Sequence, residues 1–299
     1  MSEKKLIAII GPTAVGKTAL SIKLAEILKT EIVSADSRQF YKEMEIGTAK
    51  PSAEELQKVK HHFINSLSIQ DDYSVGDYEK DALKYLDELF KKHDTVILVG
   101  GSGLFVNAVC EGLDILPSGD KGIREHYEKL FSEKGLEPLQ NELKEKDPAY
   151  FETVDIQNPR RLIRALEVIS LVGKPYSDFR KKTPTKRDFT IVKIGLNLDK
   201  EILRKRIDQR VDDMLASSWL EECKKLYTFR NLNALKTVGY SELFDFIEGK
   251  TDWTTTITNI KTNTWHYAKR QLTWFKKDKE INWFSPLEED DILNFLGLS

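Results

Sequence analysis

"IIGPTAVGKT", residues 9–18, is the stretch on which the fold turns. Gly11, Gly16, Lys17 and Thr18 fill the pattern G-x-x-x-x-G-K-[ST], directly after an apolar run at residues 6–10 and ahead of a helical pattern. A strand before and a helix behind is the setting in which this pattern cradles phosphate. The turn from Gly11 through Pro12, Thr13, Ala14 and Val15 to Gly16 wraps the anion with backbone N–H groups and a helix N-terminus. Lys17 adds a point charge, and the Thr18 hydroxyl can ligate Mg²⁺. By itself the loop specifies a phosphate group, and a diphosphate on any substrate would satisfy it.

Outward from the loop, runs rich in β-branched residues recur at 5–10, 31–34, 95–99 and 189–198, with helical patterns between the first three. That alternation predicts a parallel sheet in an α/β core. Residues 120–186 carry helical periodicity broken by Gly and Pro and no strand signal, and helices dominate from Asp199 onward. The expected fold is a P-loop NTPase-like α/β core at 1–119 and 187–299 with a helical C-terminal part, interrupted by a helical insertion domain at 120–186. Of the 299 residues, 40% are hydrophobic and 31% charged, and the net charge is −2, so any nucleic-acid surface must be a local patch. Cys110 and Cys223 stand in no metal-type spacing and read as reduced thiols. No signal-peptide pattern or membrane-length apolar run occurs, and the expected location is the cytoplasm.

An NTPase or kinase usually has an acid at the end of a further strand to support its metal. Here "TVILVGGSGLF" ends in Gly100 and Gly101, followed by Ser102, whose hydroxyl is placed to cap the next helix or touch a ligand. The run "EIVSADSRQFY" instead puts Asp36, Ser37, Arg38 and Gln39 past the second strand, at the edge where open α/β sheets bind ligands. Asp36 is there either a general base or a turn residue. Arg160 and Arg164 in "NPRRLIRALEV", and Arg206 with Arg210, are each a phosphate clamp or a solvated, ion-paired face. The last helix, read through "WHYAKRQLTWFKKDKEINWF", interleaves Trp265, Tyr267, Trp274 and Phe275 with Lys269, Arg270, Lys276 and Lys277. Residues 254–284 hold six Lys and Arg against two acids, a pattern that suits unpaired bases or an amphipathic core helix. His61 and His62 are adjacent, which separates their side chains and argues against a metal site.

Together "GPTAVGKT", "DSRQFYKEMEIGTAKPS", "LVGGSGLF", "NPRRLIRALEV", "TVGY" and "AKRQLTWF" resemble, in order and spacing, the tRNA dimethylallyltransferases, also called isopentenylpyrophosphate transferases. The resemblance runs over nearly the whole chain. It implies transfer of a dimethylallyl group from dimethylallyl diphosphate to N6 of the adenine at tRNA position 37, with Mg²⁺ as the metal and a monomeric enzyme. It implies that residues 11–18, with Arg124 and Arg210, hold the diphosphate. Lys17 then stabilises the leaving group, Asp36 takes the N6 proton, and Ser102 hydrogen-bonds the base or leaving oxygen. Closure of the helical insertion would exclude water.

Segments that match tRNA contacts of the family are Ser37, Arg38 and Gln39; Gln157, Asn158, Pro159, Arg160 and Arg161; Lys236, Thr237, Val238, Gly239, Tyr240 and Ser241; and Lys269, Arg270, Gln271, Leu272, Thr273, Trp274, Phe275 and Lys276. Ser102 and Phe105 depart from the common G-G-T-G-L-Y of the family, and Ser241 stands where a basic residue is frequent. No C-terminal zinc-finger cysteines of the eukaryotic relatives occur, which implies a bacterial type. A small-molecule kinase, a prenyltransferase acting on free AMP and a nucleotide-switched RNA-binding protein are the rival readings of the same loop.

Overall fold

The computed structural model describes residues 3–180 and 184–298. Among the described residues six strands form one parallel sheet in the order β3-β2-β4-β1-β5-β6: β1 Lys5–Ile10, β2 Ile32–Ser34, β3 His61–His62, β4 Thr95–Gly100, β5 Thr190–Leu196 and β6 Asn282–Phe284. The parallel core is as expected, and the two additional strands have a physical reason. β3 is only two residues long, and β6, Asn282–Phe284, follows so soon after the basic, aromatic helix that its aromatics read as a continuation of it. The last helix consequently stops at Phe275, short of the expected run through 284, and a further helix, Glu289–Leu296, follows β6. Among the described residues no helix is long and apolar enough to cross a membrane.

β1 lies between β4 and β5, and its apolar residues divide by alternation. Leu6, Ala8 and Ile10 face a layer holding Tyr78, Leu86, Leu98, Val106 and Phe275. Ile7 and Ile9 face the other layer, with Leu24, Ile97, Ile194, Leu203, Trp265 and Ala268. The helix Trp253–Phe275 thus gives Trp265 and Ala268 to one layer and Phe275 to the other, passing beside the carboxyl ends of β1 and β4. A third cluster around Trp219, Tyr240, Leu243 and Ile260 holds the C-terminal helices together.

Contacts divide the chain into two units, Met1–Glu111 with Lys186–Ser299, and Gly112–Thr185. The second is helical, with Leu139, Leu143, Leu162, Ala165 and Leu166 fully buried in its own core. Asn158 caps its helix Pro159–Val172 by accepting from the Arg161 amide at 3.3 Å, and Pro159 occupies the first turn, where its missing N–H costs nothing.

The close approach of β4 to the chain leaving β2 gives no room for a side chain at Gly100: an added Cβ would lie 2.4 Å from the Ala35 carbonyl oxygen. Gly100→Ala should therefore lower stability by about 1–3 kcal/mol. Gly76→Ala, whose nearest neighbour would be 3.6 Å away in a helix, should gain up to about 1 kcal/mol. Denaturant unfolding of both variants checks this; a Gly100→Ala protein as stable as wild type would contradict the close approach.

Candidate active site

Strand ends of the sheet and the helices around them line a cavity of about 330 Å³. Its lining includes Thr13, Ala14, Gly16, Lys17 and Thr18 after β1, Asp36 and Gln39 after β2, and Gly100 at the end of β4. Arg210 enters from the helix Lys200–Ala216, and Tyr267 and Gln271 from the helix Trp253–Phe275. Each placement follows from local sequence. Leu203, Ile207 and Val211 bury one face of the Arg210 helix, which turns Arg206 and Arg210, one turn apart, toward the phosphate loop. Arg206 donates to the Val15 carbonyl at 3.2 Å, and Arg210 reaches Thr13 Oγ1 at 3.3 Å and the Ala49 carbonyl at 3.4 Å.

The loop itself is strained in the manner its glycines permit. Gly11 has φ +148°, and a Cβ there would lie 2.6 Å from the Leu196 carbonyl oxygen. Gly16 precedes the helix Lys17–Leu28 without a side-chain cap, so no side chain competes with an anion for the first-turn amides. Gln271 ties this loop to the next: its Oε1 accepts from the Thr13 amide at 2.9 Å, and its Nε2 donates to the Gly101 carbonyl at 2.9 Å.

Electrostatically the centre of the cavity is two cations, Lys17 and Arg210, and the carboxylate of Asp36. Burial lowers the Lys17 pKa to about 8, with Asp36 opposing the shift and Arg210 adding to it. Burial also lowers the Arg210 pKa, again opposed by Asp36. Asp36 Oδ1 accepts from the Arg38 amide at 2.9 Å. Glu55 lines the cavity as well, but its carboxylate is turned to its own helix N-terminus, accepting from the Ser52 amide at 2.7 Å. Tyr267 is pushed up to about 12 by burial and then by the Asp36 charge, so its phenol stays protonated at neutral pH. Lys17 Nζ donates to the Pro12 carbonyl at 2.7 Å.

Ser102 does not cap its helix. Its Oγ accepts from the Ser37 amide at 3.1 Å and donates to Ser37 Oγ at 3.2 Å. Arg38 donates to the Asn233 carbonyl at 3.1 Å, and Gln39 donates to the Thr48 and Ala49 carbonyls. Arg124 lies in the helical unit, where it pairs with the fully buried Glu167 at 3.0 Å; Arg164 pairs with the same carboxylate at 2.9 Å. Gln157, Arg160 and Arg161 are exposed on that unit.

Among the residues matched to tRNA contacts, Lys236, Ser241, Lys269, Arg270, Thr273, Trp274 and Lys276 are exposed. Tyr240 and Phe275 are buried, at 0% and 2% exposure, so their side chains serve the core and not an RNA surface. Gln271 likewise points inward, to the two loops. Tyr267 is a pocket residue that sequence reading leaves among the helix aromatics. Its i,i+4 spacing to Gln271 is the available signal, because it puts both polar ends on one face. His61 also lines the cavity, and its Nδ1 contacts the Val59 carbonyl at 2.8 Å. Among the described residues no group of three or more His, Cys, Asp or Glu is arranged to hold a metal.

A strand, a phosphate loop and a helix, with two half-buried cations sharing a cavity with Asp36 at the carboxyl edge of a parallel sheet, place the chain among the P-loop α/β proteins. The chain belongs to the IPP transferase family, whose model matches residues 39–278. It is 54% identical over 279 residues to a tRNA dimethylallyltransferase of Christiangramia forsetii, covering 93% of this chain and 92% of that one. It is 45% identical to tRNA dimethylallyltransferase 1 of Bacteroides fragilis, covering 100% and 99%. Among solved structures, the full-length tRNA isopentenylpyrophosphate transferase of Bacillus halodurans matches with a TM-score of 0.73 and 36% identity, over 99% of this chain and 96% of that one. A eukaryotic dimethylallyltransferase acting on tRNA matches with a TM-score of 0.80 and 25% identity, over 98% and 80%.

The Lys17 assignment is measurable in the free protein. With methyl-labelled lysines followed by NMR, one resonance should titrate near 8, disappear in Lys17→Arg, and move to higher pH when inorganic diphosphate is added. Titration of Lys17 at the ordinary 10.5 would contradict the buried site.

Proposed function

We propose that this protein transfers a dimethylallyl group from dimethylallyl diphosphate to N6 of the adenine at position 37 of tRNA, releasing diphosphate. The observation that carries this reading is the placement of Asp36 in the same cavity as Lys17 and Arg210. A carboxylate facing a phosphate site repels the phosphate unless it serves another partner, and an exocyclic amine that must lose a proton is such a partner. Family membership and the tRNA dimethylallyltransferases among the relatives support this choice of donor and acceptor.

In the reaction the allylic C–O bond to diphosphate breaks, the bond from that carbon to adenine N6 forms, and the N6 proton passes to Asp36. Lys17, Arg210 and the first-turn amides meet the charge that develops on the departing diphosphate. We also assign Arg124 to the diphosphate, on the strength of the family resemblance. Ser102, hydrogen-bonded to Ser37, orients the acceptor beside Asp36. Thr18 would hold Mg²⁺ at the phosphate loop, where the ion would add to neutralisation of the leaving group. The exposed Lys269, Arg270, Trp274 and Lys276 take the tRNA backbone and unpaired bases, and the target adenine leaves its stack in the single-stranded anticodon loop. We place the enzyme in the cytoplasm, as a monomer, where its tRNA substrate is found.

Asp36→Ala should lower the single-turnover rate by about 10²- to 10⁴-fold while tRNA affinity stays within about threefold. Undiminished turnover would remove Asp36 from the chemistry. Arg270→Ala should weaken tRNA binding and reduce the slope of log K against log salt by about 1. An unchanged slope would mean that Arg270 makes no phosphate contact.

A further inference from the structure

The Glu222 carboxylate lies outside the cavity yet gathers four hydrogen bonds. Oε2 accepts from the Glu45 amide at 3.0 Å and the Ile46 amide at 2.8 Å; Oε1 accepts from the Gly47 amide at 3.2 Å and from the Tyr240 hydroxyl at 2.5 Å. Three successive amides converging on one anion form a concave nest, here filled by a side chain of the same chain. The nest adjoins the catalytic cavity. The next residues, Thr48 and Ala49, line it, and their carbonyls receive Gln39, while the Ala49 carbonyl also receives Arg210.

The support behind the carboxylate is tightly packed. Tyr240 is fully buried, and the Trp219 indole fills the space against Gly47 and Gly239, where an added Cβ would come within 2.1 and 2.0 Å of it. The "TVGY" segment therefore contributes through Tyr240 to a brace behind the phosphate site.

We propose that Glu222 is a positioning residue for diphosphate binding. By clasping the Glu45–Gly47 amides it fixes the Thr48 and Ala49 carbonyls, and through the Ala49 carbonyl the guanidinium of Arg210. The kinetic part of this inference rests on the dimethylallyl diphosphate reading; the binding part requires only that the cavity takes a diphosphate.

Glu222→Gln replaces one acceptor with an NH₂ group facing amide donors, so the clasp loosens while side-chain volume is kept. Inorganic diphosphate, titrated calorimetrically into the full chain, should bind about tenfold more weakly. The KM for dimethylallyl diphosphate should rise by a similar factor, with the KM for tRNA within about twofold of wild type. In an Arg210→Ala background the same substitution should add less than about twofold, because both act through one contact. If Glu222→Gln fails to fold, Glu222→Asp, which keeps the charge and shortens the reach, is read by the same criteria. A folded variant with wild-type diphosphate affinity, or full additivity with Arg210→Ala, would overturn the proposal. A wild-type protein that binds diphosphate but does not transfer the dimethylallyl group would overturn the functional reading and leave the binding test of Glu222 intact.

Discussion

Two half-buried cations, Lys17 and Arg210, share one cavity with the carboxylate of Asp36, and the site is organised around that imbalance. Burial of a cation is unfavourable unless an anion compensates it, and Asp36 compensates only part. A further anion in the cavity would complete the balance.

The elements that hold this set in place come from distant parts of the chain. β1 and β2 bring the phosphate loop and Asp36 to one sheet edge, and the helix Lys200–Ala216 brings Arg210. The helix Trp253–Phe275 crosses beside that edge and fastens two loops through Gln271. This helix has two jobs on two faces. Trp265, Ala268, Gln271 and Phe275 point inward, and Lys269, Arg270, Thr273 and Trp274 point out. Arg270 also stands 5.8 Å from the Tyr267 ring centroid, so the basic face begins directly behind the aromatic wall of the cavity.

Much of this is legible in sequence because its signals are local. The phosphate loop is contiguous, the strand before it is a continuous apolar run, and Asp36 follows a recognisable strand end. Ser102 is legible as a residue near the ligand edge, although its hydroxyl bonds Ser37 and not the helix it precedes. The strands β3 and β6 are not legible: β3 has only two residues, β6 reads as a continuation of the aromatic helix before it, and they pair on the outer edges of β2 and β5. Aromatics interleaved with cations do not show which ring is buried, and Phe275 belongs to the core, as Tyr240 does in its own segment. The Glu222 clasp joins residues about 175 positions apart, and no local pattern announces such a contact.

The most direct measurement combines purified protein, Mg²⁺, radiolabelled dimethylallyl diphosphate and an unmodified tRNA anticodon stem-loop with adenines at positions 36 to 38. Label should enter the RNA, and its entry should be lost when the adenine at position 37 alone is replaced. Label passing to free AMP, or consumption of ATP with none entering RNA, would contradict the account while leaving the phosphate loop in place.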